Sequence, residues 1–257
     1  MIPAIIPAYN NPEQLNKCIA HLQKQTVDIE ICVVDNSVEN LYFTAAVNKG
    51  LRQYLSGACE YLLLINQDMY LEPTAVEQMR NFMEAKPRCG IAAPLQLHID
   101  QPSTVIFAGG RRAFPTGKHV HGHISEFAEN RRILWANGAC MLLRKEMIQQ
   151  IGLLDENFAF IGSDSDYCFT ARARQWQIWL VTAARGIHKT GASKAGADEN
   201  IEKLKIDDMI YFGKKWLTGD LYKSLACEEE NYTAEAVREL MAQLQGASQS
   251  YQADAPQ

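Results

Sequence analysis

The run Tyr61-Leu62-Leu63-Leu64-Ile65, followed at once by Asn66-Gln67-Asp68, constrains this chain more than any other stretch. Five apolar residues bounded by polar ones are too few for a free-standing helix, so they read as a strand buried on both faces, as in a parallel sheet. Asn66 and Asp68 then fall where that strand ends. In open α/β sheets ligands bind just beyond the carboxyl ends of the strands, so a carboxylate there can hold a metal and a charged substrate. Taken alone, the position has a plainer reading. An Asp after a strand also caps turns and helices, because its side chain satisfies free backbone amides.

The flanking sequence repeats the pattern. Residues 4–7 make a short strand, broken by the turn chemistry of Tyr9-Asn10-Asn11-Pro12. Leu15, Cys18, Ile19 and Leu22 follow helical spacing over residues 12–25, with Pro12 at the first turn. Residues 29–34 form a second strand ending in Asp35-Asn36-Ser37, and a helix over 44–55 leads into the strand at Tyr61. Strand, helix, strand, helix, strand predicts an α/β fold with a doubly wound, mostly parallel sheet flanked by helices. Each strand ends in polar residues on one sheet edge.

A helix after Pro73 and a strand at 90–94 continue the fold, but residues 98–133 turn irregular, with glycines, prolines and short alternating runs that suggest a hairpin. Alternation puts His119, His121 and His123 on one face. A metal reading needs a Cys, Asp or Glu at ligand spacing, and a solvated hairpin edge accounts for them without one. Residues 134–143 are again strand-like, with Gly138 and Ala139 small enough for close approach. A short helix stops at Gly152, and the acidic stretch Ser163-Asp164-Ser165-Asp166 opens a helix through Arg174. Residues 179–182 form another strand, followed by Ile187-His188-Lys189. Residues 190–197, rich in Gly, Ala and Ser, read as a mobile loop. Helices are expected over 201–217 and 234–244, with a disordered tail over 246–257. Without repeat or linker, this divides as one domain over 1–220 and a C-terminal helix and tail over 221–257.

Composition narrows the function classes. A net charge of −5 argues against a nucleic-acid surface, which needs clustered Lys and Arg. Seven cysteines, odd in number and without a CxxC, read as free thiols in a reducing compartment. No run reaches membrane-spanning length, and the opening MIPAIIPAYN lacks a basic leader, so a cytoplasmic location is expected, the inner face of the membrane included.

The segments IIPAYN, VVDNS, ENLYFTAAVNKG, YLLLINQDMYLEP, NGACMLLRKEMIQQIGLLDENF, DSDYCFTARARQW and IHKTGAS, in that order, resemble a family 2 glycosyltransferase of the GT-A fold, rhamnosyltransferase-like members above all. The resemblance implies transfer of a sugar from a UDP- or dTDP-sugar to an acceptor hydroxyl, with inversion, in bacterial surface-glycan synthesis on a glycan or glycolipid acceptor. It assigns Pro7, Ala8, Tyr9, Asn10, Asp35 and Asn36 to the nucleoside pocket, together with Asn48 and Gly50. Asn66-Gln67-Asp68 takes the place of the metal-binding DxD motif, with Asn for the first acid. Asp68 is then the ligand for Mn2+ or Mg2+, and His188 matches a histidine that completes the shell. Asp164 matches the catalytic base, with Ser163 where relatives carry Glu, and Asp166 as its structural rival. Lys189, Lys194 and the loop at 190–197 are expected to close over the leaving diphosphate. Acceptor contacts are expected from residues 109–123 and 135–138.

Two rival classes remain. Ser163 and a short nucleotide loop fit a non-catalytic sugar-nucleotide or glycan-binding protein. A nucleotidyltransferase needs a Gly-rich phosphate loop, which Pro7-Ala8-Tyr9-Asn10-Asn11-Pro12 does not offer. Phe212 and Trp216 read as core, with a homodimer as the other use of the C-terminal helices.

Overall fold

The computed structural model describes residues 1–110, 119–189, 199–217 and 234–253. The elements in order are β1 (Ile2–Ala8), α1 (Pro12–Leu22), β2 (Ile29–Asp35), α2 (Tyr42–Tyr54), β3 (Tyr61–Ile65), β4 (Met69–Leu71), α3 (Ala75–Glu84), β5 (Cys89–Leu97), β6 (Thr104–Phe107), β7 (Gly122–His123), β8 (Arg131–Arg132), β9 (Cys140–Arg144), α4 (Lys145–Ile151), α5 (Ser163–Ala173), β10 (Gln177–His188), α6 (Glu199–Phe212) and α7 (Ala234–Ala253). Asn11 starts α1 by accepting the Gln14 N–H at 3.1 Å, and Pro12 presets the first turn.

One sheet runs β2, β1, β3, β9, β5, β10, β4. β2, β1 and β3 are parallel, β9 lies antiparallel between β3 and β5, and β10 pairs parallel with β5 and antiparallel with β4. The carboxyl ends of β1, β2, β3, β5 and β10 therefore meet the amino ends of β9 and β4 on one edge. That edge carries the polar residues.

The expected two-faced burial of β3 follows from its alternation. Leu62 and Leu64 join the core beneath α2, α4 and α5, whereas Tyr61, Leu63 and Ile65 join the core beneath α1 and α3. Each fully buried leucine contributes roughly 2 kcal/mol of transfer free energy. Such a strand has no solvent face on which to slip register.

Four elements differ from expectation. The strand expected over 134–143 begins at Cys140, because the preceding residues make other contacts: Trp135 O accepts from Gly110 N, and Ala136 N donates to Cys168 Sγ. The strand expected over 179–182 extends over all of Gln177–His188, since β5, β8 and β4 supply partners along it. The helix expected over 201–217 ends at Phe212 and widens into a π-type turn, Gly213–Leu217. α7 also continues to Ala253, past the boundary at 244 and through part of the expected tail. Docking on α6 supplies what local propensity does not, with Met241 packed against Gly213 and Ser248 Oγ donating to Asp207 at 3.1 Å. Phe212 and Trp216 are core residues. No helix among the described residues is long and apolar enough to cross a membrane.

Candidate active site

β3 ends at Ile65, and the chain turns through Asn66-Gln67-Asp68 into β4. Asn66 N donates to Ala139 O at 2.9 Å, and Met69 N closes the turn on Asn66 O at 3.1 Å. Gln67 clamps the end of β1: its Oε1 accepts from Tyr9 N at 3.0 Å and its Nε2 donates to Tyr9 O at 2.9 Å. Asp68 is 6% exposed. Antiparallel register sets Met69 opposite His188, and Lys189 N donates to Asp68 O at 3.0 Å. Two residues 120 apart in sequence thus meet, with Asp68 Oδ1 3.5 Å from His188 Nε2.

The partners of His188 bear on whether a cation fits there. Nδ1 lies 2.9 Å from Gln96 Oε1, and an amide oxygen only accepts, so this nitrogen carries the proton. Gln96 Nε2 in turn donates to Asn137 Oδ1 at 2.5 Å, which couples the orientations of the two amides. In the neutral ring Nε2 then presents a lone pair toward the Asp68 carboxylate. Two ligands ~2.1 Å from a small divalent cation and at right angles stand ~3 Å apart. Asp68 Oδ1 and His188 Nε2, at 3.5 Å, stand ~0.5 Å wider than that, the spacing of two ligands ~110° apart around such an ion. Among the described residues no group of three or more His, Cys, Asp or Glu forms a candidate metal cluster. The remaining oxygens would come from a diphosphate and water.

The nucleoside residues lie along the same edge. Pro7 and Ala8 end β1, Tyr9 is 49% exposed, and Asn10, at φ 44°, donates its N–H to Ser37 Oγ at 3.1 Å. Asp35 is exposed and accepts the Ser37 N–H at 2.8 Å. Hydrogen bonds from the Ser37 hydroxyl and amide hold its carboxyl below the usual range. Asn36 is buried, donates to Ala8 O through its main chain and to Tyr42 O through Nδ2, and its Oδ1 has no partner among the described residues.

Asn48 and Gly50, assigned by resemblance to the same pocket, do not reach this edge. Asn48 is 0% exposed; Nδ2 donates to Leu154 O and Glu156 Oε1, and Oδ1 accepts from Leu154 N. Gly50 faces the sheet, where a Cβ would stand 2.4 Å from Ile5 Cγ2. Both residues seat α2. Helical spacing turns them inward, away from the loop that precedes them.

Asp164 lies one residue into α5, after Gly162 at φ 82°. Its Oδ2 accepts from Gly138 N at 2.8 Å and its Oδ1 from Ser165 N at 2.7 Å. Burial pushes the carboxyl above its ordinary value, against the amides of Gly138, Ser165 and Asp164, and the Asp166 charge adds to the rise. Ser163, 1% exposed, has no described partner for its hydroxyl. Asp166 is engaged elsewhere. Its Oδ1 accepts from Trp216 Nε1 at 2.7 Å and pairs with Lys215 Nζ at 2.8 Å, and the same ammonium meets Asp155 Oδ2 at 2.8 Å. Asp208 receives the N–H groups of Ala159, Phe160 and Ile161 and so shapes the loop that delivers Asp164.

Of the three hairpin histidines, His119 and His121 stand 6.0 Å apart ring to ring, and His123 turns away from them. His119 packs edge-on against Phe107 at 4.9 Å and Trp135 at 5.5 Å, while His123 Nδ1 turns to Ser125. Gly138 does admit close approach, by Phe43: a Cβ there would stand 2.5 Å from Phe43 Cζ. The lid expected over 190–197, with Lys194, and much of the expected acceptor region, 111–118, lie outside the described residues. Sequence reasoning gave no role to Gln96, Lys215 or Asp208, and placed Asn137 only among the expected acceptor contacts. Gln96 left a signal: it is the polar residue of Ile91-Ala92-Ala93-Pro94-Leu95-Gln96-Leu97, and a buried amide requires a partner.

Residues 2–202 match a family model described as glycosyltransferase like family 2. The chain belongs to that family. This family 2 chain is 26% identical over 158 residues to the O-antigen biosynthesis protein RfbC of Myxococcus xanthus, covering 58% of this chain and 12% of that protein. It therefore spans a small part of that relative's length. Among solved structures it resembles GalNAc-T7 with UDP, GalNAc and Mn2+ (TM-score 0.62, 12% identity, 96% of this chain and 55% of that one). It also resembles TarS of S. aureus (TM-score 0.58, 14% identity, 88% of this chain and 41% of that one). At such identities the likeness carries the fold, which is that of the GT-A glycosyltransferases.

Proposed function

We propose that this chain is an inverting, metal-dependent glycosyltransferase that moves a sugar from a UDP- or dTDP-sugar to an acceptor hydroxyl. The observation that carries the reading is the convergence of Asp68 and His188, 3.5 Å apart, on the sheet edge that also holds Tyr9, Asn10 and Asp35. A GT-A structure holding UDP and Mn2+ supports the donor class and the cation, Mn2+ or Mg2+. A relative named for O-antigen biosynthesis supports a surface glycan as the product.

Each residue then has a chemical task. Asp35 accepts the imide N–H of uracil or thymine through its exposed carboxylate, beside the main chain of Tyr9 and Asn10. Asp68 and His188 would hold the cation, which when bound offsets the charge growing on the leaving diphosphate. Asp164 takes the proton of the acceptor hydroxyl as that oxygen bonds to the anomeric carbon and the bond to the diphosphate breaks. Its raised affinity for a proton suits a base better than an ordinary Asp would. Gly138 N and Ser165 N hold the carboxylate in place while each oxygen keeps a lone pair.

Thermal shift with UDP, dTDP and GDP, with and without Mn2+, tests the reading on wild type and Asp68→Ala. The expected result is metal-dependent stabilisation by one diphosphate, following its concentration over its dissociation constant, and its loss in Asp68→Ala. Stabilisation equal in both proteins, or with no nucleotide at all, would overturn the site. The buried Ser163, where relatives carry Glu, favours a second reading: a sugar-nucleotide-binding protein without turnover. Donor binding with neither transfer nor donor hydrolysis would select it.

A further inference from the structure

We propose that Gln96, oriented by Asn137, is a positioning residue that sets the tautomer of His188 and keeps the Asp68–His188 pair open to a cation. The inference rests on the metal reading above, but its first test does not.

Gln96 lies in β5 opposite Gly186 of β10, and His188 follows two residues on, so the strand repeat brings both side chains to one face. Gln96 is 0% exposed, and both ends of its amide are engaged. Oε1 receives the His188 Nδ1–H at 2.9 Å and Asn137 Nδ2 at 3.2 Å; Nε2 donates to Asn137 Oδ1 at 2.5 Å. If the Gln96 amide alone were flipped, an N–H would face Asn137 Nδ2, donor against donor, so the two amides turn only together. As they stand, Gln96 Oε1 faces the ring.

This orientation has a consequence at Asp68. A neutral imidazole carries one proton, and whichever nitrogen holds it cannot bind a cation. Left to itself, His188 would place that proton on Nε2 and donate it to Asp68 Oδ1, 3.5 Å away, closing the pair with an internal hydrogen bond. Gln96 Oε1 draws the proton to Nδ1 instead. Nε2 and the carboxylate then face each other as two electron-pair donors, which a divalent cation satisfies and a hydrogen bond does not. Asn137 stands next to Gly138, whose N–H holds Asp164, so a single turn supports the metal pair on one side and the proposed base on the other.

The test reads the ring directly. In metal-free protein with 15N-labelled histidine, long-range 1H–15N spectra at pH 8 distinguish the two tautomers, with His188→Gln assigning the signal among the six histidines. The expected result is Nδ1–H in wild type, Nε2–H in Gln96→Leu, and recovery of Nδ1–H in Gln96→Glu, whose carboxyl oxygen can again accept. Asn137→Ala is the milder variant should Gln96→Leu not fold, and it is expected to give a mixture of the two forms. Mn2+ alone, titrated by electron paramagnetic resonance, is expected to bind about 10- to 100-fold more weakly to Gln96→Leu. Nε2–H in wild type, or Nδ1–H retained in both Gln96→Leu and Asn137→Ala, would overturn the proposal. The expected tautomers with no Mn2+ binding in wild type, either alone or with UDP or dTDP present, would support the positioning by Gln96 and overturn the metal reading.

Discussion

Trp216 donates its indole N–H to Asp166 Oδ1 across 2.7 Å, at a carboxylate that is 2% exposed. This contact joins the turn after α6 to the first turn of α5, the same turn that carries Asp164. Lys215 completes the junction by pairing with Asp166 and Asp155 at 2.8 Å each. Lys215→Met leaves a buried carboxylate without its cation, a change that costs about 3 to 5 kcal/mol. The expected fall in Tm is about 6 to 15 °C for a domain of this size, measured by thermal unfolding.

The two acids of α5 are predicted to separate by readout. Asp164→Asn is expected to lower kcat by about 10²- to 10⁴-fold with little change in Tm, as for loss of a general base. Asp166→Asn is expected to lower Tm and leave the kcat of the folded fraction within a few fold. Steady-state kinetics alongside thermal unfolding decides it; the reverse pattern would make Asp166 the base.

The pH dependence of turnover follows from the surroundings of Asp164. Because burial raises its pKa, the group is protonated, and inactive as a base, over a wider acid range than an ordinary Asp near 3.9. The acid limb of the kcat/KM profile is therefore expected above pH 3.9. A limb at or below that value would remove Asp164 from the role.

Stability should show the opposite sign at Asp155. Partial burial works against its ionised form, but hydrogen bonds from Lys215, Asn157 and Tyr211 outweigh it and hold the pKa down to about 2. A depressed carboxylate stabilises the fold above its unfolded pKa, near 3.9, and that contribution is lost as pH falls through the folded value. Urea unfolding of wild type and Asp155→Asn is expected to differ by about 2 kcal/mol at pH 6, with the gap closing toward pH 2.

Gly50→Ala tests whether that glycine packs or binds. The added methyl would meet Ile5 Cγ2 at 2.4 Å and Val34 Cγ2 at 3.3 Å, both on stiff β-branched side chains. A loss of about 1 to 3 kcal/mol is expected, as for overpacking, with nucleotide affinity of the folded protein unchanged. Weaker nucleotide binding at unchanged stability would return Gly50 to the pocket.

Asn48 and Gly50 illustrate what a motif leaves open. Their order along the chain matched the resemblance, yet a motif does not record which side of a helix faces the sheet, and in α2 both face inward. Asp68 and His188 were individually legible, one as the acid after a buried strand and the other as the histidine after a late one. Their meeting was expected only through the resemblance; periodicity does not bring them together, because it depends on β4 turning back antiparallel beside β10. The same holds for β9. Its apolar run announced a strand, but its insertion between β3 and β5 is a matter of sheet order.

The sequence alone determined the elements and the edge. Hydrophobic periodicity states which residues must leave water, and the polar residues that interrupt it state where strands end. Tertiary structure alone decided which acid of Asp164 and Asp166 is engaged in a buried ion pair, and that Gln96 and Asn137 stand behind His188. The physical reason is range. Periodicity is local, whereas a buried charge or amide takes its partner from wherever the folded chain supplies one, here 49 residues away for Asp166 and 92 for Gln96.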